Sequence, residues 1–236
     1  MAQKPDLVVP YGNLALATVK PLVGRVPVVF VGVGDPVGSG FVSNLARPGG
    51  TVTGFLSLDA DVGGKWAGLL HEAVPGVTRM LALYEPENPS NVAMWLAVGQ
   101  AALHYGIDAV AGPVHNSGEI ERAVASFAAT PGGGMVVIPT AATNVNLALL
   151  ATLEERYRMA AITARPAGIL SYGPDYADAM RRAAEYADRI LKGEYPGDLP
   201  VQAPVKYVLT VNLKIAKALD VTIPDPLLIR ADEVIE

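Results

Sequence analysis

Apolar residues are arranged in short runs and in longer segments, and the two arrangements predict different secondary structure. Val26–Val31 is an almost unbroken run of β-branched residues, which is typical of a strand covered on both faces. Residues 175–192 instead predict a helix, with Asp175 as N-cap, charged pairs four residues apart and Gly193 after the last turn. Strands and helices alternate in this way throughout. The sequence therefore predicts an α/β fold with parallel sheets flanked by helices.

Turn-forming residues divide the chain and set the bounds of shorter elements. Leu7–Val9 predicts a short strand, and Gly38–Ala46 predicts a helix that stops at Pro48. Thr140–Asn144 predicts a loop whose Thr and Asn side chains cap the following helix. Gly- or Pro-bearing strands, such as residues 168–174, separate two sets of strand–helix units. This division predicts two Rossmann-like lobes, with these strands as the crossings between them.

The composition supports a large folded core and limits the class of partner. Of the 236 residues, 51% are hydrophobic and 17% are charged, so disorder is not expected. The formal net charge is −5 and no cluster of Lys or Arg occurs, whereas a nucleic-acid or anionic-membrane partner needs a basic face. No nucleic-acid partner is therefore predicted. A neutral or zwitterionic small molecule fits the charge better.

Residue types that usually carry catalysis or metal binding are missing or scattered. The chain has no Cys, which excludes thiolate catalysis, Cys-based metal sites and disulfides. His71, His104 and His115 do not have the spacing of metal ligands and are predicted to be surface or core residues. No P-loop, HExxH or GxSxG motif occurs. The sequence therefore predicts no catalytic residues, no metal and no cofactor.

Polar and aromatic residues follow several predicted strands, at the positions where ligands bind in open α/β sheets. Loops at the carboxyl ends of parallel strands converge on one edge. There, helix amides can face a carboxylate, and acidic side chains can take an ammonium. The arrangement suits an amino acid. The candidate ligand-binding residues are Tyr11, Asn13, Asp35, Pro36, Tyr84, Glu85, Asn88, Asn91, Thr140, Thr143, Tyr172 and Asp175.

These candidates also have structural alternatives. Asn13, Thr143 and Asp175 are residue types that form turns and N-caps. The tyrosine rings can either wall a pocket, with their hydroxyls left for hydrogen bonds, or pack in the core. Trp66 and Trp95 lie on amphipathic helices and are predicted to be core residues rather than platforms for a ligand.

Gly32–Gly38 has GxGxxxG spacing after a strand, so a dinucleotide site is an alternative for this loop. Such a site needs a helix whose first amides face a pyrophosphate. Asp35 and Pro36 instead bring a carboxylate and a residue without an amide hydrogen. Asp before Pro is also a common turn sequence. A Rossmann-type nucleotide-dependent enzyme stays an alternative interpretation of the chain.

Several segments together resemble one known family. They are DPV at 35–37, SNLARPGGTVTG at 43–54, GKW at 64–66, VPGV at 74–77, LSYGPD at 170–175 and ADEVIE at 231–236. This pattern is similar to that of the substrate-binding proteins of a group of bacterial ABC importers, which have a type I periplasmic-binding-protein fold. The resemblance covers nearly the whole chain.

The resemblance implies two hinged lobes that hold a small ligand in the cleft between them. The first lobe is expected at residues 1–54 plus 171–199, and the second at 55–170 plus 200–236. Relatives carry a signal peptide and an opening β-α-β segment before the strand that begins here at Leu7, so the first lobe is expected to be incomplete at its N-terminus. An incomplete sheet leaves an open edge, and a homodimer that covers this edge is predicted.

The resemblance also implies a function without catalysis. Family members work in the periplasm and deliver the ligand to an ABC permease, although no signal-type apolar region follows Met1 here. Their assigned ligands are aromatic amino acids such as tryptophan, phenylalanine and tyrosine. Asp35, Asn88 and Tyr172 match the family pattern best, whereas Thr140–Asn144 departs from it. A cytoplasmic ligand-sensing domain of the same fold is a further alternative.

Overall fold

The chain forms two compact units in the computed structural model, which describes residues 4–236. Unit 1 contains Met1–Asp59 and Pro174–Tyr207, and unit 2 contains Ala60–Gly173 and Val208–Glu236. The predicted lobes have their boundaries at other residues, and the first three residues of the first lobe lie outside the described range. The division into hinged lobes stays a prediction.

Helices and strands alternate along the described residues. The α-helices are α1 (Gly12–Val23), α2 (Val62–Ala73), α3 (Pro89–His104), α4 (Ser117–Ala128), α5 (Ala141–Val145), α6 (Leu147–Tyr157), α7 (Tyr176–Leu191), α8 (Leu213–Leu219) and α9 (Asp225–Arg230). The strands are β1 (Val28–Val33), β2 (Val52–Leu56), β3 (Arg79–Tyr84), β4 (Asp108–Pro113), β5 (Gly133–Val137), β6 (Ala161–Thr163), β7 (Leu170–Pro174), β8 (Tyr207–Asn212) and β9 (Glu233–Ile235). Within residues 4–236, no helix is long and apolar enough to cross a bilayer.

Unit 1 is built around β1 and β2, which pair in parallel. Val8 and Tyr11 each form a single parallel bridge to β1. The predicted strand at Leu7–Val9 is therefore wrong, because only the bridge at Val8 forms. Pro10 explains the interruption, since its carbonyl accepts from Val31 N but it has no amide hydrogen to donate back to the ladder.

Both faces of β1 are covered, which confirms the prediction from its β-branched sequence. Val28 and Phe30 pack on one face against residues of α1. Val29 and Val31 pack on the other face against residues of α7. All four side chains are fully buried. Burial of a large aliphatic or aromatic side chain contributes about 1.5–3 kcal/mol, so β1 is the centre of the core of unit 1.

The predicted helix at Gly38–Ala46 is wrong, because this segment is a series of turns. Its amides bond to nearby loop carbonyls: Gly40 N donates to Val37 O, and Ser43 N donates to Pro48 O. Gly40 has a φ of 68°, a conformation that residues with a Cβ rarely adopt. The Ser43 hydroxyl also donates to Pro48 O at 2.9 Å, so local side-chain bonds compete with a helix here.

Unit 2 contains a seven-stranded sheet in the order β4-β3-β5-β6-β7-β8-β9. β3 pairs in parallel with β4 and β5, β5 with β6, β6 with β7, and β8 with β9. Leu83 and Val137 of this sheet pack with Phe127 of α4 and Leu150 of α6. The predicted α/β fold with parallel sheets flanked by helices is thereby confirmed.

Glycines let α2 and α3 approach each other closely. A Cβ on Gly63 would lie 2.4 Å from the backbone oxygen of Met94. A Cβ on Gly68 would lie 3.1 Å from the Tyr105 hydroxyl. Trp66, on the same helix, is fully buried, as predicted. The small residues of α2 therefore set its distance from α3, while Trp66 anchors it in the core.

Glu154 brings a carboxyl group into the core of unit 2. Its side chain is completely buried on α6. Oε1 accepts hydrogen bonds from Ala161 N at 2.7 Å and from Ile169 N at 3.0 Å, which joins α6 to β6 and to the residue before β7. Burial raises the pKa of the Glu154 carboxyl to about 8, although the two amides act in the opposite direction. The group therefore holds its proton at neutral pH.

Candidate functional site

The candidate ligand-binding residues are divided between the two units. Unit 1 contains Tyr11, Asn13, Asp35, Pro36 and Asp175, and unit 2 contains the others. Within each unit, most of them lie at or just beyond the carboxyl ends of strands. The geometry of each group can therefore be compared with the ligand site that the sequence predicts.

Tyr11 and Tyr176 form an aromatic surface in unit 1. Tyr11 is the N-cap residue of α1, and its ring lies against Gly32. A Cβ at Gly32, whose φ is 69°, would lie 3.1 Å from a ring carbon, so only glycine allows this approach. Tyr176 meets the Tyr11 ring edge-on, with ring centroids 5.9 Å apart. The sequence analysis did not select Tyr176, which follows the N-cap of α7.

Asn13 is bonded in both directions to the backbone of Gly34. Its Nδ2 donates to Gly34 O and its Oδ1 accepts from Gly34 N, both at 2.9 Å. This pair of bonds imitates one step of a β-ladder and fixes the start of α1 to the loop after β1. The bonds support the structural alternative for Asn13, and a ligand contact stays a prediction.

Asp35 closes the turn that follows β1. Its φ is 42°, in the left-handed region, and its Oδ1 accepts from Gly38 N at 2.8 Å. A Cβ on Gly38 would lie 2.1 Å from the other carboxylate oxygen, so the turn requires glycine there. Pro36 O accepts from Phe41 N in the same turn. The Asp35 carboxylate thus already accepts the hydrogen bond of the Gly38 amide, which an anionic ligand group would need.

Asp175 is the N-cap of α7, as predicted from its position. It accepts from Asp178 N at 3.0 Å, and its Oδ2 pairs with Lys206 Nζ at 2.8 Å. The Lys206 bond, followed by the Asp178 amide, lowers the pKa of the Asp175 carboxyl. The same contact raises the pKa of Lys206. Asp175 therefore stays ionised and serves the start of the helix.

In unit 2, the aromatic candidate Tyr84 is stacked on a tryptophan. Tyr84 ends β3, and its ring lies on Trp95 of α3 with centroids 5.9 Å apart and 17° between the planes. Both residues are only half-buried. The prediction that Trp95 is a core residue is therefore wrong. The two rings form a second aromatic surface, beside the loop that follows β3.

Asn88 and Asn91 hold that loop in shape. Asn88 caps α3 by accepting from Ser90 N at 3.0 Å. Asn91 is buried; its Oδ1 accepts from Glu85 N, and its Nδ2 donates to Pro139 O, both at 3.3 Å. Asn91 thereby joins the loop after β3 to the loop after β5. The predicted convergence of these two loops is confirmed within unit 2.

Thr140 and Thr143 cap α5 with reciprocal bonds. Thr143 N donates to Thr140 Oγ1 at 2.9 Å, and Thr140 N donates to Thr143 Oγ1 at 2.8 Å. Thr143 Oγ1 also donates to Ile138 O at 3.0 Å. Both side chains are buried. The predicted loop is therefore wrong, because Thr140–Asn144 belongs largely to the short helix α5. The two threonines cap α5 and not the longer helix α6 that follows, which has no side-chain cap.

Tyr172, on β7, has two neighbours from α2. Trp66 Nε1 donates to Tyr172 O at 2.7 Å. Lys65 Nζ lies 5.8 Å from the centroid of the Tyr172 ring. The sequence analysis used Gly64, Lys65 and Trp66 only as part of the family resemblance. No spacing rule pointed to Lys65, because its position depends on how α2 packs against β7.

His115 is an exposed residue, one of the two places predicted for it, but its two carboxylate partners were not predicted. Its Nε2 lies 2.7 Å from a carboxylate oxygen of Glu87, and its Nδ1 lies 2.9 Å from one of Glu119. The bond to Glu87, and next the bond to Glu119, raise the pKa of the His115 imidazole. This exposed cluster joins the loop after β3 to the first turn of α4. Among residues 4–236, no group of three or more His, Asp or Glu side chains is arranged to hold a metal.

The family of the chain follows from a comparison over its whole length. A model of the family "ABC transporter substrate binding protein" matches residues 1–235. The chain belongs to this family. The family resemblance predicted from the segments between 35–37 and 231–236 is thereby confirmed.

This ABC transporter substrate binding protein is also similar to a characterised relative. It is 24% identical over 204 residues to the tyrosine-binding protein of Clostridioides difficile (strain R20291). The match covers 83% of this chain and 57% of the relative. The chain thus spans a little over half the length of that protein.

Solved structures share the fold of this substrate binding protein. A conserved domain protein from Vibrio cholerae O1 biovar eltor strain N16961 is 25% identical, with a TM-score of 0.86 over 98% of this chain and 78% of the other. The ABC domain in complex with L-Trp from Streptococcus pneumonia is 23% identical, with a TM-score of 0.87 over 99% and 80%. The expected type I periplasmic-binding-protein fold is confirmed.

Proposed function

We propose that this chain is the solute-binding component of an ABC importer and that it holds a small organic ligand without changing it. The observation that carries this proposal is the family match over residues 1–235. The described geometry supports it, because aromatic and polar side chains lie at the carboxyl ends of strands in both units.

The proposed ligand is an amino acid with an aromatic side chain. One relative is named a tyrosine-binding protein, and one structure of the same fold contains L-Trp. The pair Tyr11–Tyr176, in which Tyr11 is exposed, and the half-buried pair Tyr84–Trp95 supply aromatic surfaces on which such a side chain can pack. Asp35 supplies a carboxylate that can take the ammonium group of the ligand.

The turn after β1 supports binding without catalysis over a nucleotide-dependent enzyme. Asp35 Oδ1 already bonds to the Gly38 amide, which a dinucleotide phosphate would require. The segment Gly38–Ala46 also forms turns, so no helix presents its first amides to a phosphate at this place. A negative carboxylate at the same position would repel the phosphate.

We further propose that the protein acts outside the cytoplasmic membrane and delivers its ligand to an ABC permease. Family membership is the support for this proposal. Deletion of the gene for its ABC permease should abolish uptake of the ligand. Uptake that continues unchanged would contradict a role in import.

The test of the function is a thermal-shift screen of the purified protein against L-amino acids, aromatic acids and sugars, followed by calorimetry. We expect L-tyrosine or L-tryptophan to raise the melting temperature, because a ligand that binds only the folded state stabilises it. Mass spectrometry after incubation should recover the ligand unchanged. Absence of any stabilising compound would contradict the proposed function, and a chemical product would contradict its non-catalytic part.

A further inference from the structure

Trp66 and Trp95 are the two tryptophans of the chain, and they have different surroundings. Trp66 is fully buried, and its Nε1 donates to Tyr172 O at 2.7 Å. Trp95 is only half-buried and lies on Tyr84 in a near-parallel stack. Within residues 4–236, neither Trp95 Nε1 nor the Tyr84 hydroxyl has a hydrogen-bond partner, and both groups are accessible to solvent. The structural bond that fixes the Trp66 indole therefore has no counterpart at Trp95.

The positions of the two rings are fixed by the elements that carry them. Tyr84 ends β3, and its carbonyl accepts from Val114 N at 2.9 Å. Trp95 follows Asn91 by one turn of α3, so these two side chains lie on the same face of the helix. Asn91 is buried and bonds to the loops after β3 and β5. The ring pair is thus held by the same elements that position the polar candidates of unit 2, before any ligand binds.

The geometry of this pair suits a third ring better than that of the aromatic pair in unit 1. The planes of Tyr84 and Trp95 are 17° apart, so the ring of a ligand can continue the stack in an offset arrangement. Tyr11 and Tyr176 meet at 65°, and the Tyr11 ring lies against Gly32. An edge-on pair does not present two parallel faces. The stack in unit 2 therefore offers the flatter surface to an aromatic ligand.

We propose that Trp95 makes this protein specific for ligands with an aromatic ring, which packs on the Tyr84–Trp95 stack. This inference rests on the proposed function and names the residue that selects the side chain of the ligand. The packing of one aromatic ring on another contributes more than the apolar area that it buries. An aromatic ligand therefore gains affinity at this surface that an aliphatic amino acid of similar size does not gain. The indole is the larger ring of the pair and supplies most of the surface.

Calorimetry with L-tyrosine, L-phenylalanine and L-leucine tests this specificity. Trp95→Leu removes the ring and keeps an apolar side chain. We expect it to weaken binding of both aromatic amino acids by about ten- to a hundredfold, and to remove most of the preference of the wild type for them over L-leucine. Trp95→Phe keeps a ring and should retain the affinity for L-tyrosine within about fivefold.

Tryptophan fluorescence gives a readout that a merely structural role of Trp95 would not change. Excitation at the long-wavelength edge of protein absorption selects tryptophan, so added L-phenylalanine gives no signal of its own. The ligand ring replaces water at the Trp95 indole. Binding should therefore shift the emission to shorter wavelength and reduce quenching by acrylamide. Both changes should vanish in Trp95→Phe, in which Trp66 is the only tryptophan left, although calorimetry still detects binding.

A neighbouring substitution controls for effects on α3 as a whole. Leu96 is the next residue of α3 and is exposed. Leu96→Ala should leave the three affinities and the fluorescence change as they are in the wild type. Equal melting temperatures of the ligand-free variants would show that the fold is preserved. If Trp95→Leu melts earlier than the wild type, the fluorescence of the milder variant Trp95→Phe still decides.

The outcomes separate this inference from the proposed function. The role of Trp95 alone is overturned if Trp95→Leu binds L-tyrosine as tightly as the wild type does, or if it weakens L-tyrosine and L-leucine equally. A fluorescence change that persists in Trp95→Phe overturns it as well. If the wild type binds none of L-tyrosine, L-phenylalanine and L-tryptophan, the proposed aromatic ligand is wrong and the role of Trp95 is wrong with it.

Discussion

We expect Glu154 to make the stability of unit 2 depend on pH. An exposed glutamate in the unfolded chain loses its proton near pH 4.5, whereas the buried Glu154 keeps it until about pH 8. Between these values the folded state binds one more proton than the unfolded state. The free energy of unfolding therefore falls as the pH rises through this window, by up to about 1.4 kcal/mol per pH unit, and then levels off.

We expect Glu154→Gln to remove most of this dependence. Glutamine keeps an oxygen that can accept from Ala161 N and Ile169 N, but it does not titrate. Urea unfolding at several pH values between 5 and 8 measures the slope. Glu121→Gln, an exposed carboxylate on α4, should keep the wild-type slope. An unchanged slope in Glu154→Gln would show that another group causes the dependence.

Asp35 should distinguish ligands by their ammonium group. Asp35→Asn keeps Oδ1 as an acceptor for Gly38 N and removes the negative charge. We expect about tenfold weaker binding of L-tyrosine, because a charge-assisted bond is lost, and unchanged binding of 3-(4-hydroxyphenyl)propionate. Calorimetry measures both, with Asp108→Asn on β4 as control. Equal weakening of the two compounds would contradict a contact between Asp35 and the ammonium.

At the level of single residues, the sequence identified where polar groups gather but not what they bond to. Asn13, Asn91, Thr140 and Thr143 were candidates because short polar side chains follow strands. In the structure, their donors and acceptors bond to the backbone. The same chemistry serves a cap or a ligand, so residue type cannot separate the two roles. Lys65 could not be predicted, since its neighbour Tyr172 is distant in sequence.

At the level of elements, the contact between α2 and α3 depends on which glycines face it. Gly63→Ala should lower the free energy of unfolding by about 1–3 kcal/mol, because its Cβ would lie 2.4 Å from Met94 O and push the helices apart. Gly99→Ala, in the interior of α3, meets nothing within 4 Å and should raise it by about 0.5–1 kcal/mol. Urea unfolding measures both. Effects of the same sign would contradict this account of the packing.

His115 connects the loop after β3 to α4 through its contacts with two carboxylates. We expect the pKa of its imidazole to report these contacts. The pKa of His115 is raised first by Glu87 and next by Glu119. We expect NMR titration to place it above the usual 6.5. Glu87→Gln should lower it more than Glu119→Gln does, and Glu121→Gln should leave it unchanged.

The sign of this linkage follows from the raised pKa. The contact stabilises the fold fully below the usual histidine pKa, and this contribution is lost as the pH rises through the raised value. A His115 pKa that neither Glu87→Gln nor Glu119→Gln changes would contradict the bridge between the loop after β3 and α4.

The elements that the sequence predicted well are those whose signals are local. The helix starting after Asp175 has its cap and its end within its own sequence, and α7 forms there. Gly38–Ala46 has a helix stop signal at Pro48, yet it forms turns. Its outcome depends on bonds such as Ser43 N to Pro48 O, which a pattern of apolar positions does not contain. Pro10 similarly limits the first predicted strand to one bridge.

For the whole molecule, we predict self-association through unit 1. Val9 lies beside the bridge at Val8, and Leu14 and Leu22 on α1 are 76% and 65% exposed. Exposed apolar residues of this kind are ones that a second copy can cover. Light scattering after size exclusion should show a dimer. The double variant Leu14→Glu with Leu22→Glu should be monomeric.

A substitution on the other unit controls for a general effect of surface charge. Leu103→Glu changes an equally exposed leucine at the end of α3 in unit 2 and should leave the dimer intact. A monomeric wild type at high concentration would contradict the prediction.

The hydrogen bond from Thr53 Oγ1 to Leu199 O joins parts of unit 1 that are 146 residues apart. During synthesis, β1 and β2 therefore leave the ribosome long before α7 and Gln202, which complete their surroundings. The apolar residues of β1 and β2 therefore stay exposed until these later residues are synthesised, because long-range contacts form late. Nascent chains of this protein should thus depend on chaperones until translation is almost finished.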